Sequence, residues 1–364
     1  MVLADHLARH GPPPACPSLI ELLRDAGLTG RDRSGHRVHT ALAEAVAARR
    51  SAGTPVVVAQ TELGEPASRK DTALLWMSPH LVLDGLQLAA AAVGVPRARL
   101  ELGTQASGRL RDSLRAALAD RAEADLDRVP VQITRITGPL AGAAHVTERP
   151  AGPPVLVVNV ETLAHVALIA RYGAAWFRSV GTATEPGTML CTVCQPDGQT
   201  DVAEAAIGVP VGELVALDRH TQAVLAGGYH GAWLPAARAA SLPLSHAGLR
   251  QAQLRLPGAS VGAGVLAALP DDRCGLVETS RVARYLAAES RFGAARLVHG
   301  ALGVFGAEVR LHEKGCCRAS SNRPFLPVPA LLLTVPRPRD PARVPLGSGI
   351  EPGILTVAEQ SDDG

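Results

Sequence analysis

The chain has 364 residues, of which 47% are hydrophobic and 19% are charged, and its formal net charge is +2. This length and composition are typical of a globular protein with two or three domains. The near balance of charge gives no electrostatic reason for binding nucleic acid or an anionic membrane.

The start of the sequence and its apolar runs favour a cytoplasmic protein without a membrane span. Residues 1–6 contain no basic segment followed by an apolar core, so we expect no signal peptide. No apolar run approaches the roughly 20 residues that cross a bilayer. In the cytosol, the six cysteines are expected to be free thiols or ligands rather than disulfides.

Alternating helices and strands are predicted for the first half of the chain. The β-branched run at residues 55–59 is typical of a strand buried in a parallel sheet. The predicted elements are, in order, helix 18–26, helix 40–50, strand 55–59, helix 81–93, strand 98–102, helix 110–122, strand 131–136 and helix 159–170. Such alternation predicts an α/β layer joined by right-handed crossovers.

The second half of the chain has a different pattern, which favours a small β-rich domain. Short apolar runs separated by Gly and Pro occur at residues 189–193, 211–217 and 224–226. Two helices are predicted after this domain, at residues 276–288 and 294–314. The proline-rich residues from 319 onward are predicted to form a tail.

Five short segments carry a family resemblance when they are taken together. They are GEPASRKD at residues 64–71, SPHLVLDG at 78–85, NVETLAH at 159–165, GGYHGAW at 227–233 and the helix that follows Cys274. In this order they resemble the NADH-oxidising flavin subunit of respiratory complex I. The resemblance covers about residues 18–318.

The resemblance implies a Rossmann-like domain for FMN and NADH, then an SLBB β-grasp domain, then a helical bundle that carries a [4Fe–4S] cluster. We therefore expect five parts: a flexible N-terminus at 1–17, a Rossmann-like domain at 18–185, an SLBB domain at 186–268, a reduced helical iron–sulfur-type domain at 269–318 and a Pro-rich tail at 319–364. This layout agrees with the α/β and β-rich patterns described above.

The family's flavin loop is only partly kept. The sequence of that loop is Gly-Arg-Gly-Gly-Ala-Gly-Phe-Pro, in which glycines let the backbone approach the flavin and its phosphate. Gly30 and Arg31 match the start of this loop, whereas Asp32 and Arg33 replace the next two glycines. The resemblance thus implies cofactor-binding roles for Gly30 and Arg31, with a negative charge at Asp32 close to the expected phosphate.

Two further family elements supply the other expected site residues. Gly64 and Glu65 match the end of Asn-x-Asp-Glu-Gly-Glu-Pro, in which the last acid contacts nicotinamide and ribose, whereas Gln60 replaces the leading asparagine. Asn159 matches one of two family asparagines, and Val158 replaces the other. The resemblance implies that Gly64, Glu65 and Asn159 hold FMN and nicotinamide.

The cluster region departs furthest from the family. A [4Fe–4S] cluster needs four thiolates at compatible positions. Residues 291–298 stand where the family has its cysteine-rich hairpin, and Cys274, Cys316 and Cys317 lie outside the ligand positions. The counterpart of a third family element, Gly-Glu-Glu, has lost both acids at residues 142–146. We expect this chain not to bind a [4Fe–4S] cluster.

Cys191 and Cys194 form a Cys-x-x-Cys pair, with a structural and a redox interpretation. A redox pair needs a helix N-terminus, which lowers the pKa of one thiol. Here the pair lies in a predicted strand, whose period of two directs the side chains to opposite faces. The pattern favours a structural role over redox chemistry or metal binding.

Three other motifs have both a functional and a structural interpretation. Residues 258–262 match the Gly-x-Ser-x-Gly nucleophile elbow. That elbow needs a strand before it and a helix after it, so we interpret the segment as a turn. His312 and Cys316 are a candidate zinc pair near a predicted helix end. Residues 227–231 are either a backbone cradle for an anion or a tight turn that needs glycine.

Three functions remain open on the sequence. The first is a flavin-dependent NADH oxidoreductase of the complex I type, with FMN and NADH as cofactors. Its electrons would pass to a thioredoxin-like [2Fe–2S] subunit or a ferredoxin-like carrier. The second is a non-catalytic scaffold or partner-binding paralogue that has lost FMN and [4Fe–4S] binding. The third is ligand binding by the β-grasp domain.

Overall fold

The computed structural model describes residues 2–51, 54–62, 64–103, 106–136, 146–147, 155–253 and 260–289. Several predictions lie outside these residues: the helix at 294–314, the tail at 319–364, the segment at 291–298, the His312 and Cys316 pair, most of the element at 142–146 and the first two residues of the element at 258–262.

The first unit is built on a five-stranded sheet with the strand order β3-β2-β1-β5-β4. Its strands are β1 Val56–Gln60, β2 Ala98–Leu102, β3 Val131–Arg135, β4 Val146–Thr147 and β5 Val155–Asn159. Four strands are parallel, and the edge strand β4 is antiparallel to β5. The valines of β1 are buried, as expected for a strand covered on both faces.

Seven described helices accompany this sheet: α1 Leu3–His10, α2 Leu19–Ala26, α3 Val38–Ser51, α4 Lys70–Met77, α5 Pro79–Val93, α6 Gly108–Glu123 and α7 Val160–Phe177. Proline at the first position suits the start of α5. The side chain of Asn159 accepts a hydrogen bond from the N–H of Glu161 and thereby caps α7. The α/β prediction is confirmed.

The second unit contains a mixed five-stranded sheet with the order β7-β6-β10-β8-β9. Its strands are β6 Thr188–Cys194, β7 Thr200–Ala206, β8 Thr221–Ala226, β9 Ala232–Pro235 and β10 Val265–Pro270, and its helices are α8 Ala236–Ala239, α9 His246–Gln253 and α10 Gly275–Glu289. Strands β6 and β10 are parallel, and the other neighbours are antiparallel. The SLBB assignment and the helical bundle remain predictions.

The N-terminal helix α1 differs from the flexible segment expected at residues 1–17. His6 is fully buried, and its Nε2 lies 2.8 Å from Oδ2 of Asp84 in α5. Asp84 also pairs with Arg121 and Arg171. Because these partners are far apart in sequence, the pattern of residues 1–17 alone does not show that a buried ion-pair cluster anchors α1.

None of the described helices is long and apolar enough to span a membrane.

The close packing of α5 on α7 depends on a glycine. A Cβ added at Gly85 would lie 1.9 Å from the carbonyl oxygen of Leu163 in α7. We expect Gly85→Ala to lower the free energy of unfolding by about 1–3 kcal/mol, because two packed helices must separate. Gly108, at the exposed start of α6, has no atom within 4 Å of an added Cβ. Gly108→Ala is the matched control, and equal urea midpoints for the two variants would contradict the packing argument.

Candidate functional site

Strands β1 and β5 define the topological switch point of the first sheet. The chain proceeds to β2 and β3 on one side of β1, whereas β5 and β4 lie on its other side. Ligands of open parallel sheets bind beyond the carboxyl ends of the strands at such a point. Gln60 and Asn159 are paired in register at these two ends, so Asn159 lies where a ligand crevice is expected.

A buried lysine lies directly beyond these strand ends. Lys70 Nζ is 2.7 Å from Oδ1 of Asp71 and 2.8 Å from Oε2 of Glu161. Asn159 donates to Oδ2 of Asp71 at 2.7 Å. Burial lowers the pKa of Lys70, but the two carboxylates outweigh burial and the net pKa is raised. Lys70 and Glu161 are therefore held in their charged forms inside the protein.

Arg31 is tied to main-chain and hydroxyl oxygens. Its side chain donates to the carbonyl oxygens of Thr188 at 2.8 Å and Pro186 at 3.0 Å, and to the hydroxyl of Thr29 at 2.9 Å. Its backbone N–H donates to Thr162 Oγ1 at 2.8 Å. Burial lowers the pKa of Arg31 to about 10. The guanidinium thus joins the predicted flavin loop to the start of β6.

In the loop that begins at Gly30, the carboxylate of Asp32 bonds to groups of the loop itself. Asp32 Oδ1 accepts a 2.8 Å hydrogen bond from the N–H of Ser34 and a second bond from the Ser34 hydroxyl. A Cβ added at Gly30 would lie 3.3 Å from the same oxygen. A cavity of about 10 Å³ beside this loop, also lined by His246 and Val261, has the volume of about one water molecule.

An ion pair links this loop to the chain just after β1. Arg33 Nε lies 3.3 Å from Oε1 of Glu62, whose side chain is 8% exposed. The N–H of Glu62 donates to Asp71 at 2.5 Å. Burial raises the pKa of Glu62 to about 7, although Arg33 opposes this rise. The loop is therefore connected through Glu62 to the lysine network, which consists of Lys70, Asp71, Glu161 and Asn159.

Glu65 faces the second sheet. It is 4% exposed, and its Oε2 accepts a 2.7 Å hydrogen bond from the N–H of Tyr229. Oε1 accepts a longer bond, 3.3 Å, from the N–H of Ala67. Burial raises the pKa of Glu65 to about 8, against the effect of these two donors. Beside it, the Gly64 carbonyl lies 3.2 Å from Nε2 of His230.

The structure thus separates the five predicted site residues into three places. Gly30 lies in the loop from which Arg31 contacts the start of the second sheet, Asn159 contacts Asp71 beside Lys70, and Gly64 and Glu65 contact the turn after β8. Their role in binding a cofactor remains a prediction.

Sequence reasoning did not single out Lys70, Asp71 or Glu161 as site residues. A compositional signal was available, because Lys70 is one of only two lysines in the chain.

The Cys-x-x-Cys pair has the predicted geometry. Cys191 and Cys194 are both buried and pack into different apolar clusters on the two faces of β6. Burial raises the pKa of Cys191 to about 12 and also raises the pKa of Cys194. Both groups are therefore neutral thiols. Among the described residues, no group of three or more His, Cys, Asp or Glu is arranged to hold a metal ion.

Curated relatives of the chain are oxidoreductase subunits. It is 27% identical to the alpha subunit of the NAD-reducing hydrogenase HoxS of Cupriavidus necator, over 55% of this chain and 38% of that protein. It is 26% identical to the F subunit of NADH-quinone oxidoreductase of Rhodobacter capsulatus, over 59% and 55%. The chain thus aligns with about half the length, or less, of these two relatives. No family model matches it.

Solved structures agree with these relatives. Crystal structures of an NAD+-reducing [NiFe]-hydrogenase, air-oxidized and H2-reduced, match the chain with TM-scores of 0.69 and 0.70 at 27% and 26% identity. The match covers 86% of this chain and 57% or 58% of the hydrogenase chain. The chain is a distant homologue of the NADH-quinone oxidoreductase F subunit and of the NAD-reducing hydrogenase alpha subunit.

Proposed function

We propose that the chain is a flavin-subunit-like protein that keeps the α/β scaffold and works as a cytoplasmic, non-catalytic partner-binding subunit. The partners we propose are a thioredoxin-like [2Fe–2S] subunit or a ferredoxin-like electron carrier. This role uses the scaffold of the family without hydride transfer in this chain.

One observation carries the proposal: the charged groups around the switch point are neutralised by other groups of the same chain. Lys70 is held by Asp71 and Glu161, and Arg33 is paired with Glu62. A phosphate-bearing ligand needs free N–H groups and cations. Here a ligand would first have to break buried ion pairs, which is costly.

The described residues do not fit FMN in this arrangement. Arg31 donates to protein oxygens, and the carboxylate of Asp32 caps a loop N–H near the phosphate position that the resemblance implies. Two anions at one position repel each other. We therefore derive no hydride step for this chain.

The second candidate function is FMN-dependent NADH oxidation. The location of Asn159 at the switch point and the homology to the NADH-quinone oxidoreductase F subunit favour it. In this case Gly30, Arg31, Gly64, Glu65 and Asn159 would hold FMN and nicotinamide, and the flavin would supply the hydride chemistry. The two functions predict opposite results in a single binding experiment.

That experiment is a flavin-retention assay. The purified chain, shown to be folded by circular dichroism, is incubated with FMN, freed of excess ligand and scanned in the visible range with and without NADH. We expect no retained flavin band. A retained band that NADH bleaches would overturn the non-catalytic proposal and establish the second candidate.

A gain-of-function variant tests whether the carboxylate of Asp32 prevents FMN binding. We expect Asp32→Gly combined with Arg33→Gly to bind FMN at least about tenfold more tightly than the unmodified chain, since the competing carboxylate is gone. Isothermal titration calorimetry measures the difference. Arg33→Gly alone is the control, because it keeps Asp32. If single and double variants bind FMN equally weakly, Asp32 is not what closes the loop.

A further inference from the structure

The carboxyl group of Glu65 lies in a small pocket between two parts of the chain. One wall is the N–H of Ala67, from the loop after β1, and the other is the N–H of Tyr229, from the turn after β8. The N–H groups bind different oxygens of the same carboxyl, which is nearly excluded from solvent. The geometry is that of a bound carboxyl ligand, here supplied by the protein itself.

The turn after β8 is shaped for this close approach. Gly228 has φ +74°, and an added Cβ would lie 2.3 Å from Oε2 of Glu65. Any side chain at residue 228 would therefore enter the space of the carboxyl group. The candidate anion cradle at residues 227–231 is filled by Glu65.

The pocket lies where three parts of the protein meet. The ring of Tyr229 packs edge-on against Tyr285 of α10, with 5.3 Å between the ring centroids. Val282 and Leu286 of α10 belong to the same apolar cluster as Ala67 and Tyr229. The Glu65 carboxyl group therefore links the loop of the first unit to the turn of the second unit, and the apolar cluster joins both to α10.

We propose that the N–H groups of Ala67 and Tyr229 form a pocket for one carboxyl group, that Glu65 is its internal ligand, and that filling it fastens the two units to each other. The pocket accepts a free carboxyl compound of the size of formate when the Glu65 side chain is removed. This inference does not depend on whether the chain binds a flavin.

The test is chemical rescue of Glu65→Gly by formate at pH 5, where a larger fraction of the added compound is in the neutral form that burial favours than at pH 7. We expect this variant to melt several degrees below the unmodified chain, and sodium formate to recover most of the difference. Sodium chloride at the same ionic strength should recover none of it. Glu65→Gln keeps the pocket filled and should not respond to formate beyond the response of the unmodified chain. Equal effects of formate and chloride on Glu65→Gly would overturn the pocket.

A double-mutant cycle gives a second readout that does not rely on a free ligand. Gly228→Ala should lower the melting temperature more in the unmodified chain than in Glu65→Gly, because only the former has a carboxyl group in the way. The strain of alanine at positive φ is present in both backgrounds and cancels.

If Glu65→Gly does not fold alone, refolding yields in formate and in chloride take the place of melting. Equal costs of Gly228→Ala in both backgrounds, or equal refolding yields in both salts, would contradict the proposal.

Discussion

Replacing Lys70 with methionine is expected to lower the free energy of unfolding by about 3–5 kcal/mol. The side chain is 1% exposed, and its ammonium group lies between the carboxylates of Asp71 and Glu161. Methionine fills a similar volume but leaves two buried acids without their cation. The loss is measured from the urea midpoint at pH 7 and constant m-value.

A surface ion pair supplies the control for Lys70→Met. Arg24 and Asp25 are 3.4 Å apart, and their side chains are 60% and 65% exposed. Exposed pairs contribute about 0–1 kcal/mol, so Arg24→Met should change the midpoint little. If the two variants lose similar amounts of free energy, the lysine network is not neutralising buried charge. We expect that adding Glu161→Gln to Lys70→Met recovers part of the lost free energy of unfolding. If the network does not neutralise buried charge, the second substitution recovers nothing.

The elements of the first sheet were predictable because their physical signals are local. The strand at residues 98–102 coincides with β2, since its apolar residues alternate and its neighbours are helix and turn formers. Strand β7, by contrast, has the polar sequence TDVAEAA, and most of it is only partly buried. It is held in place by seven paired positions with β6. Tertiary pairing, and not intrinsic propensity, therefore determines this strand.

The sequence directed attention to some residues of the candidate site but not to their contacts. The resemblance directed attention to Glu65 and Asn159, and both are buried. Glu65 lies at the junction of the two units, and Asn159 lies at the switch point. Glu65 and its partner Tyr229 are 164 positions apart, as His6 and Asp84 are 78 apart. Local periodicity carries no information about such pairs, so their partners had to come from the three-dimensional structure.

The buried carboxyl group of Glu65 gives the second large prediction, a dependence of stability on pH. Burial raises its pKa from 4.5 to about 8, and the negative charge of Glu62 adds to this rise. The N–H donors of Tyr229 and Ala67 and the cation of Arg33 oppose the rise only in part. The folded chain therefore holds this proton more tightly than the unfolded chain. The contribution of Glu65 to the free energy of unfolding then falls as the pH rises from 4.5 to about 8.

Glu65→Gln removes this titration while keeping an oxygen that can accept the hydrogen bond from Tyr229. The difference between a pKa of 4.5 in the unfolded chain and about 8 in the folded chain corresponds to about 5 kcal/mol. We therefore expect the variant to gain about that much stability relative to the unmodified chain between pH 4.5 and pH 9, as measured by urea unfolding. Glu62 titrates in both proteins, so its contribution largely cancels in the difference. Parallel pH profiles of the two proteins would mean that Glu65 ionises normally and that water reaches it in the folded chain. A gap that widens with pH would show that the two units enclose a protonated carboxyl group at neutral pH.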